Sequence, residues 1–364
     1  MKIKDITNYL ETVAPLNYQE SYDNAGLIVG NKNTEINSVL VTVDVTEEIL
    51  NEAIEKNIDL IISHHPIIFS GLKKINGENY IERIIIKAIK NNIAIYSSHT
   101  NLDNILGGVN AKICEWLNLE NVKILSPISD KLYKLVYFVP VDFAQSTRNA
   151  IFKTGAGNIG NYSNCSYNLL GEGTFKAREN TNPFVGEKGK LHTEKETRVE
   201  IIVLEHLINN VISTLINAHP YEEVAYDIYQ IKNKNQQIGI GMIGELETSI
   251  DELEFLNKIK KTFSAKGIRY TKLLNKPIKK VAVCGGSGSF LLSKAIAENA
   301  DIFISADFKY HQFFDAENKI VIADIGHFES EQVTKDLIFD LLIKKFPKFA
   351  VRLTEINSNP INYL

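Results

Sequence analysis

Three short apolar runs, far apart in the chain, each stop at residues able to bind a metal ion. The run 58–63 ends in His64-His65-Pro66, and the run 93–96 leads through Ser97-Ser98 to His99 and then Asp103. The run 320–324 ends in Ile325-Gly326-His327, with Glu331 four residues further on. In an open α/β sheet, ligands sit outside the carboxyl ends of the strands. This arrangement predicts one site assembled from strand ends that are distant in sequence.

The pattern around these runs alternates strand with helix. Residues 39–44 read as a buried strand and 46–56 as a helix. Thr46 is placed to cap that helix, with Glu47 and Glu48 in its first turn, where carboxylates favour the helix dipole. Helices follow over 80–90 and 108–117. The rhythm returns with a strand at 280–284, the turn Gly285-Gly286-Ser287-Gly288-Ser289, a helix over 290–298, a strand at 300–304 and a last helix through Lys345. Strands apolar on both faces that alternate with helices imply an α/β fold, a mostly parallel sheet covered by helices.

The interval 128–245 has another rhythm. Strands are expected at 131–139, 162–169, 197–204 and 224–231, and helices at 142–154 and 206–218. That is βαβ–βαβ, the order of a ferredoxin-like α+β domain. The polar stretch 171–196 reads as an ordered loop or a hairpin excursion. The expected organisation is an outer domain in two parts, 1–127 and 246–364, with 128–245 inserted.

With 364 residues, 44% hydrophobic and 23% charged, the chain has ordinary globular composition. A net charge of −4 supplies no bulk basic field for nucleic acid. Cys114, Cys165 and Cys284 form no CxxC pair, which argues against a disulfide framework or a thiolate zinc site. The amino terminus reads as an amphipathic helix with no signal-peptide apolar region. No apolar stretch approaches the ~18–20 residues that span a bilayer. The expectation is a cytoplasmic protein with no membrane partner.

Taken singly, each candidate has a bland reading. A His-His pair can be one exposed and one core ring. His327 and Glu331 can be a dipole-stabilised pair at a helix start, and Asp103 can close an Asx turn. Adjacent side chains on a strand point to opposite faces, but at a strand end the backbone turns, and Pro66 holds His65 out of the α region. Taken together, His64, His65, Asp103, His327 and Glu331 form a hard N/O donor set. Five protein ligands are too many for one zinc with an open position. They suit two divalent ions sharing carboxylates. Zinc, manganese and iron(II) all fit, and the lack of thiolates disfavours copper(I) and iron–sulfur chemistry.

The glycine turn 285–289 could present N–H groups to a phosphate, but it lacks the ending of a Walker A loop, and a tight packing turn explains it equally well. Asp307, Lys309 and His311 follow another strand and could line the same pocket. There is no GxSxG and no Cys–His pairing.

These residues resemble a known family, the dinuclear-metal-centre hexameric proteins, many of which carry the name GTP cyclohydrolase 1 type 2 homologue. The resemblance spans nearly the whole chain. In the outer domain it rests on Asp23-Asn24-Ala25-Gly26-Leu27, Ser63-His64-His65-Pro66, Ser98-His99-Thr100-Asn101-Leu102-Asp103, Cys284-Gly285-Gly286-Ser287-Gly288 and His327-Phe328-Glu329-Ser330-Glu331. In the insert it rests on Gly173-Thr174-Phe175, Asn182-Pro183-Phe184-Val185-Gly186 and the string from His219-Pro220-Tyr221-Glu222-Glu223 to Asp227. The resemblance implies that His64, His65, Asp103, His327 and Glu331 are the metal ligands, with Glu331 touching both ions. It also implies an insert similar to the CutA/PII-like fold. The assembly it implies is a homohexameric toroid, with metal sites facing the interior and inserts near the openings.

The resulting expectation is a two-metal hydrolase acting on an electrophilic carbon or phosphorus. A nucleotide of the GTP type or a phosphoester is compatible, and His99 or His311 serves as proton shuttle or phosphate contact. The competing reading is non-enzymatic: a metal-binding regulatory or adaptor protein whose insert senses a small molecule or partner. An open coordination position beside a pocket separates the two. A toroid that encircles nucleic acid is a third possibility, and the acidic balance counts against it.

Overall fold

A computed structural model describes residues 1–129 and 131–364. The chain folds as two units, one made of Met1–Pro127 with Gln237–Leu364 and the other of Ile128–Gln236.

The first unit is α/β, and its strands form two sheets rather than one. The first sheet has five strands in the order Gly26–Val29, Ala94–Ser97, Leu60–Ser63, Ser38–Thr42 and Ala350–Leu353. All neighbours are parallel except the edge strand Gly26–Val29. Val39, Leu40, Leu60, Ile61, Ile62 and Ile95 are fully buried, as their two-sided apolar runs require. Helices Glu47–Glu55 and Tyr80–Lys90 bring Leu50, Ala53, Ile84, Ile85 and Ala88 into the same core as Leu40, Ile61 and Ile95. Each large aliphatic side chain so buried contributes about 1.5–3 kcal/mol. Thr46 caps the first helix by accepting the Ile49 N–H at 3.2 Å, and Asn79 caps the second by accepting the Glu82 N–H at 3.0 Å.

The second sheet has six strands in the order Arg269–Tyr270, Val321–Asp324, Ile302–Ala306, Ile278–Ser287, Gly239–Ile250 and Leu119–Pro127. Only its three middle strands, from Val321–Asp324 to Ile278–Ser287, run parallel. The others are antiparallel. Apolar periodicity marks a buried strand but does not say which sheet receives it, so one expected sheet becomes two.

The same pairing moves a boundary. Residues 237–245, expected at the end of the insert, belong with the first unit. Gly239–Ile250 is a long strand held between Ile278–Ser287 and Leu119–Pro127, with Met242 opposite both Val283 and Ile124.

The second unit has one antiparallel sheet in the order Tyr167–Lys176, Leu191–Leu204, Leu132–Pro140 and Tyr226–Ile231. Helices Ala144–Phe152 and Ile208–Ala218 share a core with Leu135, Tyr137, Val139, Val199 and Ile201. The polar stretch 171–196 is a hairpin excursion, with Phe175 paired to His192. Its arms lengthen the second and third strands of the unit beyond the expected 162–169 and 197–204. No helix among the described residues is long and apolar enough to cross a membrane.

Candidate metal centre

The site lies in the first unit, at the carboxyl ends of strands from both sheets. After Leu60–Ser63 the chain turns sharply, and the N–H groups of both His64 and His65 donate to the Val43 carbonyl, at 3.1 and 2.9 Å. This turn is why adjacent imidazoles share one space, with ring centroids 4.9 Å apart. After Ala94–Ser97 comes the one-turn helix Thr100–Asp103, with His99 at its cap. After Val321–Asp324, Gly326 takes a φ of 97° and starts the short helix His327–Glu331.

These residues meet around Glu331. Its Oε2 lies 2.8 Å from His65 Nε2 and 2.9 Å from His327 Nε2. Its Oε1 lies 3.7 Å from His64 Nε2, which is also 3.7 Å from Asp103 Oδ1. The two oxygens of one carboxylate thus face two groups, His65 with His327 and His64 with Asp103. Donor atoms of His65, His327 and Glu331, and of His64, Asp103 and Glu331, lie within 4.8 Å of one another. His64, His65 and His99 form a third such group.

The far side of each ring is anchored. His65 Nδ1 lies 2.7 Å from Asp44 Oδ1, His327 Nδ1 2.7 Å from Asp307 Oδ2, and His64 Nδ1 2.9 Å from the Ser98 carbonyl. An acceptor at Nδ1 fixes the proton there. In the neutral ring Nε2 is then the atom with the free lone pair, and in all three rings it points at carboxylate oxygens. His65 Nε2 and His327 Nε2 are only 3.3 Å apart. His64 Nε2 and Asp103 Oδ1 are buried without a hydrogen bond. Leaving such groups unsatisfied costs several kcal/mol in total, unless a cation sits among them.

The titration behaviour points the same way. Burial works against charging His65 and His327, but hydrogen bonds to Asp44, Asp307 and Glu331 outweigh it and push them up to about 10 and 11. His64 is also raised, against its burial, by Asp103 and Glu331. Glu331 is held well below the ordinary carboxylate range despite burial, by His64, His327 and His65. Asp103 is raised by burial and by the charge of Glu331, against the pull of His64. A site that holds protons this strongly offers the same lone pairs to divalent ions, and its N/O donors suit zinc, iron(II) or manganese.

His99 is brought to this centre. Its Nδ1 lies 2.7 Å from Asp23 Oδ1, and its ring stands 5.1 Å from His64 and 5.4 Å from His65 between centroids. His311 is not. It is exposed among Tyr310 and Phe314 and is absent from the cavity wall, because the chain leaves Ile302–Ala306 through Asp307 and turns outward in the short helix Tyr310–Ala316. Spacing alone does not single out Asp23, Asp44 and Asp307 as the carboxylates that orient the rings. The usable signal is position, since Asp44 and Asp307 follow strands just as the ligand candidates do. The centre opens into a cavity of about 870 Å³ that reaches Tyr22, Phe69, Tyr80 and Phe290.

A family model described as Duf34/NIF3 (NGG1p interacting factor 3) matches residues 1–360. A protein of Halalkalibacterium halodurans named GTP cyclohydrolase 1 type 2 homolog is 38% identical over 364 residues, covering 99% of this chain and 98% of that protein. A Bacillus subtilis protein of the same name is 37% identical over 367 residues, with the same coverage. The crystal structure of a Bacillus cereus protein related to NIF3 superposes with a TM-score of 0.87 at 35% identity, covering 100% of this chain and 99% of that one.

Proposed function

The chain belongs to the Duf34/NIF3 family, and on that footing we propose that it is a dinuclear metal-binding protein and a metal-dependent hydrolase. His64, Asp103 and Glu331 would hold one ion, and His65, His327 and Glu331 would hold the other. The observation that carries this reading is the convergence of three imidazole nitrogens and the Asp103 carboxylate on the buried Glu331 carboxylate. When bound, two divalent ions would lower the pKa of water toward 7 and stabilise negative charge developing on a substrate.

The chain's own residues do the rest. Asp44 and Asp307 keep His65 and His327 in the tautomer that frees Nε2. Asp23 does the same for His99, whose Nε2 can then accept or deliver a proton. The name borne by the relatives supports hydrolysis as the reaction class.

Elemental analysis of protein purified without added metal is the direct test. Close to two ions per chain are expected, and Glu331→Gln should lower that number. Full metal content in Glu331→Ala refutes the bridging role. Activity on nucleotides, phosphoesters and cyclic amides should vanish on chelation and return with zinc, manganese or iron(II). A metal-loaded protein inactive on all of them refutes the hydrolase.

We further infer that Ile128–Gln236 is an inserted ferredoxin-like domain of the CutA/PII-like kind. Its all-antiparallel strand order, with both helices in one core, supports this. The resemblance supports a cytoplasmic homohexamer, which light scattering of the purified protein tests.

A further inference from the structure

The charge and hydrogen bonding of the cavity around the metal centre restrict what it can bind. Four carboxylates line it, Glu20, Asp44, Asp103 and Glu331, and no lysine or arginine is among the described residues of its wall. Two divalent ions bring four positive charges, which these four carboxylates cancel. A loaded cavity is therefore close to neutral. Sites for phosphate groups normally supply arginine, lysine or clustered backbone N–H groups.

Several backbone N–H groups here are already spent. Gly285 N–H donates to Asn110 Oδ1 at 2.9 Å, and Gly286 N–H to Ser330 Oγ at 2.9 Å. The glycine turn is thus tied into the protein at Gly285 and Gly286, which removes these two N–H groups from any phosphate cradle. The turns that carry the metal-site residues are closed in the same way. His64 and His65 N–H donate to Val43, His99 N–H to Asn101 Oδ1 and Thr100 N–H to Asp23 Oδ2. Gly326 N–H donates to Asp324 Oδ1.

What the wall offers instead is aromatic surface. Tyr22, Phe69, Tyr80 and Phe290 all line the cavity, and all are more than half exposed, from 51% to 67%. Exposed rings of this kind provide faces for stacking a flat ligand.

We propose that this site takes an uncharged, ring-bearing substrate, such as a nucleoside, a nucleobase or a cyclic amide, and that it gains nothing from a triphosphate. The proposal rests on the metal-centre reading above. It assigns the ligand's ring to the aromatic faces and its hydrolysable bond to the side of Glu331.

The test is equilibrium binding to the full-length, zinc-loaded protein, with metal content measured before and after. The probes are guanosine, GMP and magnesium-saturated GTP, beside adenosine, uracil and a cyclic amide. At least one neutral ring is expected to bind. Guanosine, GMP and GTP should bind within about threefold of one another, because the wall offers the phosphates no cationic side chain. Phe290→Ala or Tyr22→Ala should weaken binding of the neutral ring by about tenfold with metal content unchanged. GTP binding more than about tenfold tighter than guanosine, or no binding of any neutral ring, overturns the proposal. The failures are distinguishable. A low metal count with neutral rings still preferred falls on the metal-centre reading, whereas a full count with GTP preferred falls on this proposal alone.

Discussion

Gly286→Ala is expected to dismantle the metal centre from behind. Gly286 has a φ of +61°, and a Cβ built there overlaps Glu331 Oε1 and comes within 3.0 Å of Glu331 Cδ. Two costs follow. An alanine in the left-handed region costs about 1–2 kcal/mol. Restoring ordinary van der Waals separation moves the carboxylate by about 1 Å. Metal–ligand distances tolerate only about ±0.2 Å, so Glu331 is lost as a ligand on at least one side. The expected result is a metal affinity reduced by about 10–100-fold, the size of effect seen when ligand orientation is disturbed. The melting temperature should fall by about 2–8 °C for a unit of this size. Gly285→Ala is the control. The Cβ there meets Glu331 Cγ, Ile113 Cδ1 and Val109 Cγ1 all at 3.4 Å, at the edge of ordinary contact. Competitive zinc titration against a chromophoric chelator reads affinity, and circular dichroism reads the melting temperature. Wild-type affinity in Gly286→Ala, or equal loss in both variants, refutes the reasoning.

Three further outcomes are expected. Metal loading at pH 7 should release about two protons per chain. His65 and His327 hold theirs up to about 10 and 11 and ligation needs neutral rings, so affinity should climb with pH between about 7 and 9. Titration in weak buffer with a pH indicator measures both, and loading without proton release contradicts the assignment of these rings. In the metal-free protein those raised values contribute stability that is complete below about 6.5 and lost as pH rises toward 10–11. Asp23 behaves oppositely. Burial raises it, but hydrogen bonds from His99, Thr100 and Asn24 bring it down to about 2, so its contribution is complete above about pH 4 and lost as pH falls toward 2. Because an amide keeps part of this hydrogen bonding, Asp23→Asn should cost about 1–2 kcal/mol at pH 7. It should also flatten the acid limb of the melting curve, and an unchanged limb would count against the His99–Asp23 pair. Joining Pro127 to Gln237 by a short linker should leave a folded, metal-binding outer unit. Pro127 already pairs with Gly239, and Asn235 N–H bonds to the Ile128 carbonyl at 3.0 Å. Loss of cooperative unfolding in that shortened chain, read by calorimetry, would show a shared core.

Local pattern was enough to read several parts of this protein from the chain alone. The runs ending at His64, His99 and His327 are buried strands because both faces are apolar, and their donor residues come just after them because ligands collect at strand ends. The alternation of strands and helices in Ile128–Gln236 is likewise local, as is the Thr46 cap. The assignment of strands to two sheets needed the tertiary structure, because periodicity is blind to pairing partners. For the same reason Gly239–Ile250 was read as the end of the insert, although its pairing with Ile278–Ser287 and Leu119–Pro127 places it in the outer unit. The roles of Asp23, Asp44 and Asp307 depend on contacts between residues 76, 21 and 20 positions apart, and no spacing rule reaches that far. His311 shows the converse error: its place after a strand was visible, but the outward turn at Asp307 that removes it from the cavity was not. The glycine turn read as ambiguous because sequence shows which residues can offer N–H groups. Only the folded chain shows that Asn110 and Ser330 have already taken those of Gly285 and Gly286, and that the missing side chain at Gly286 makes room for Glu331.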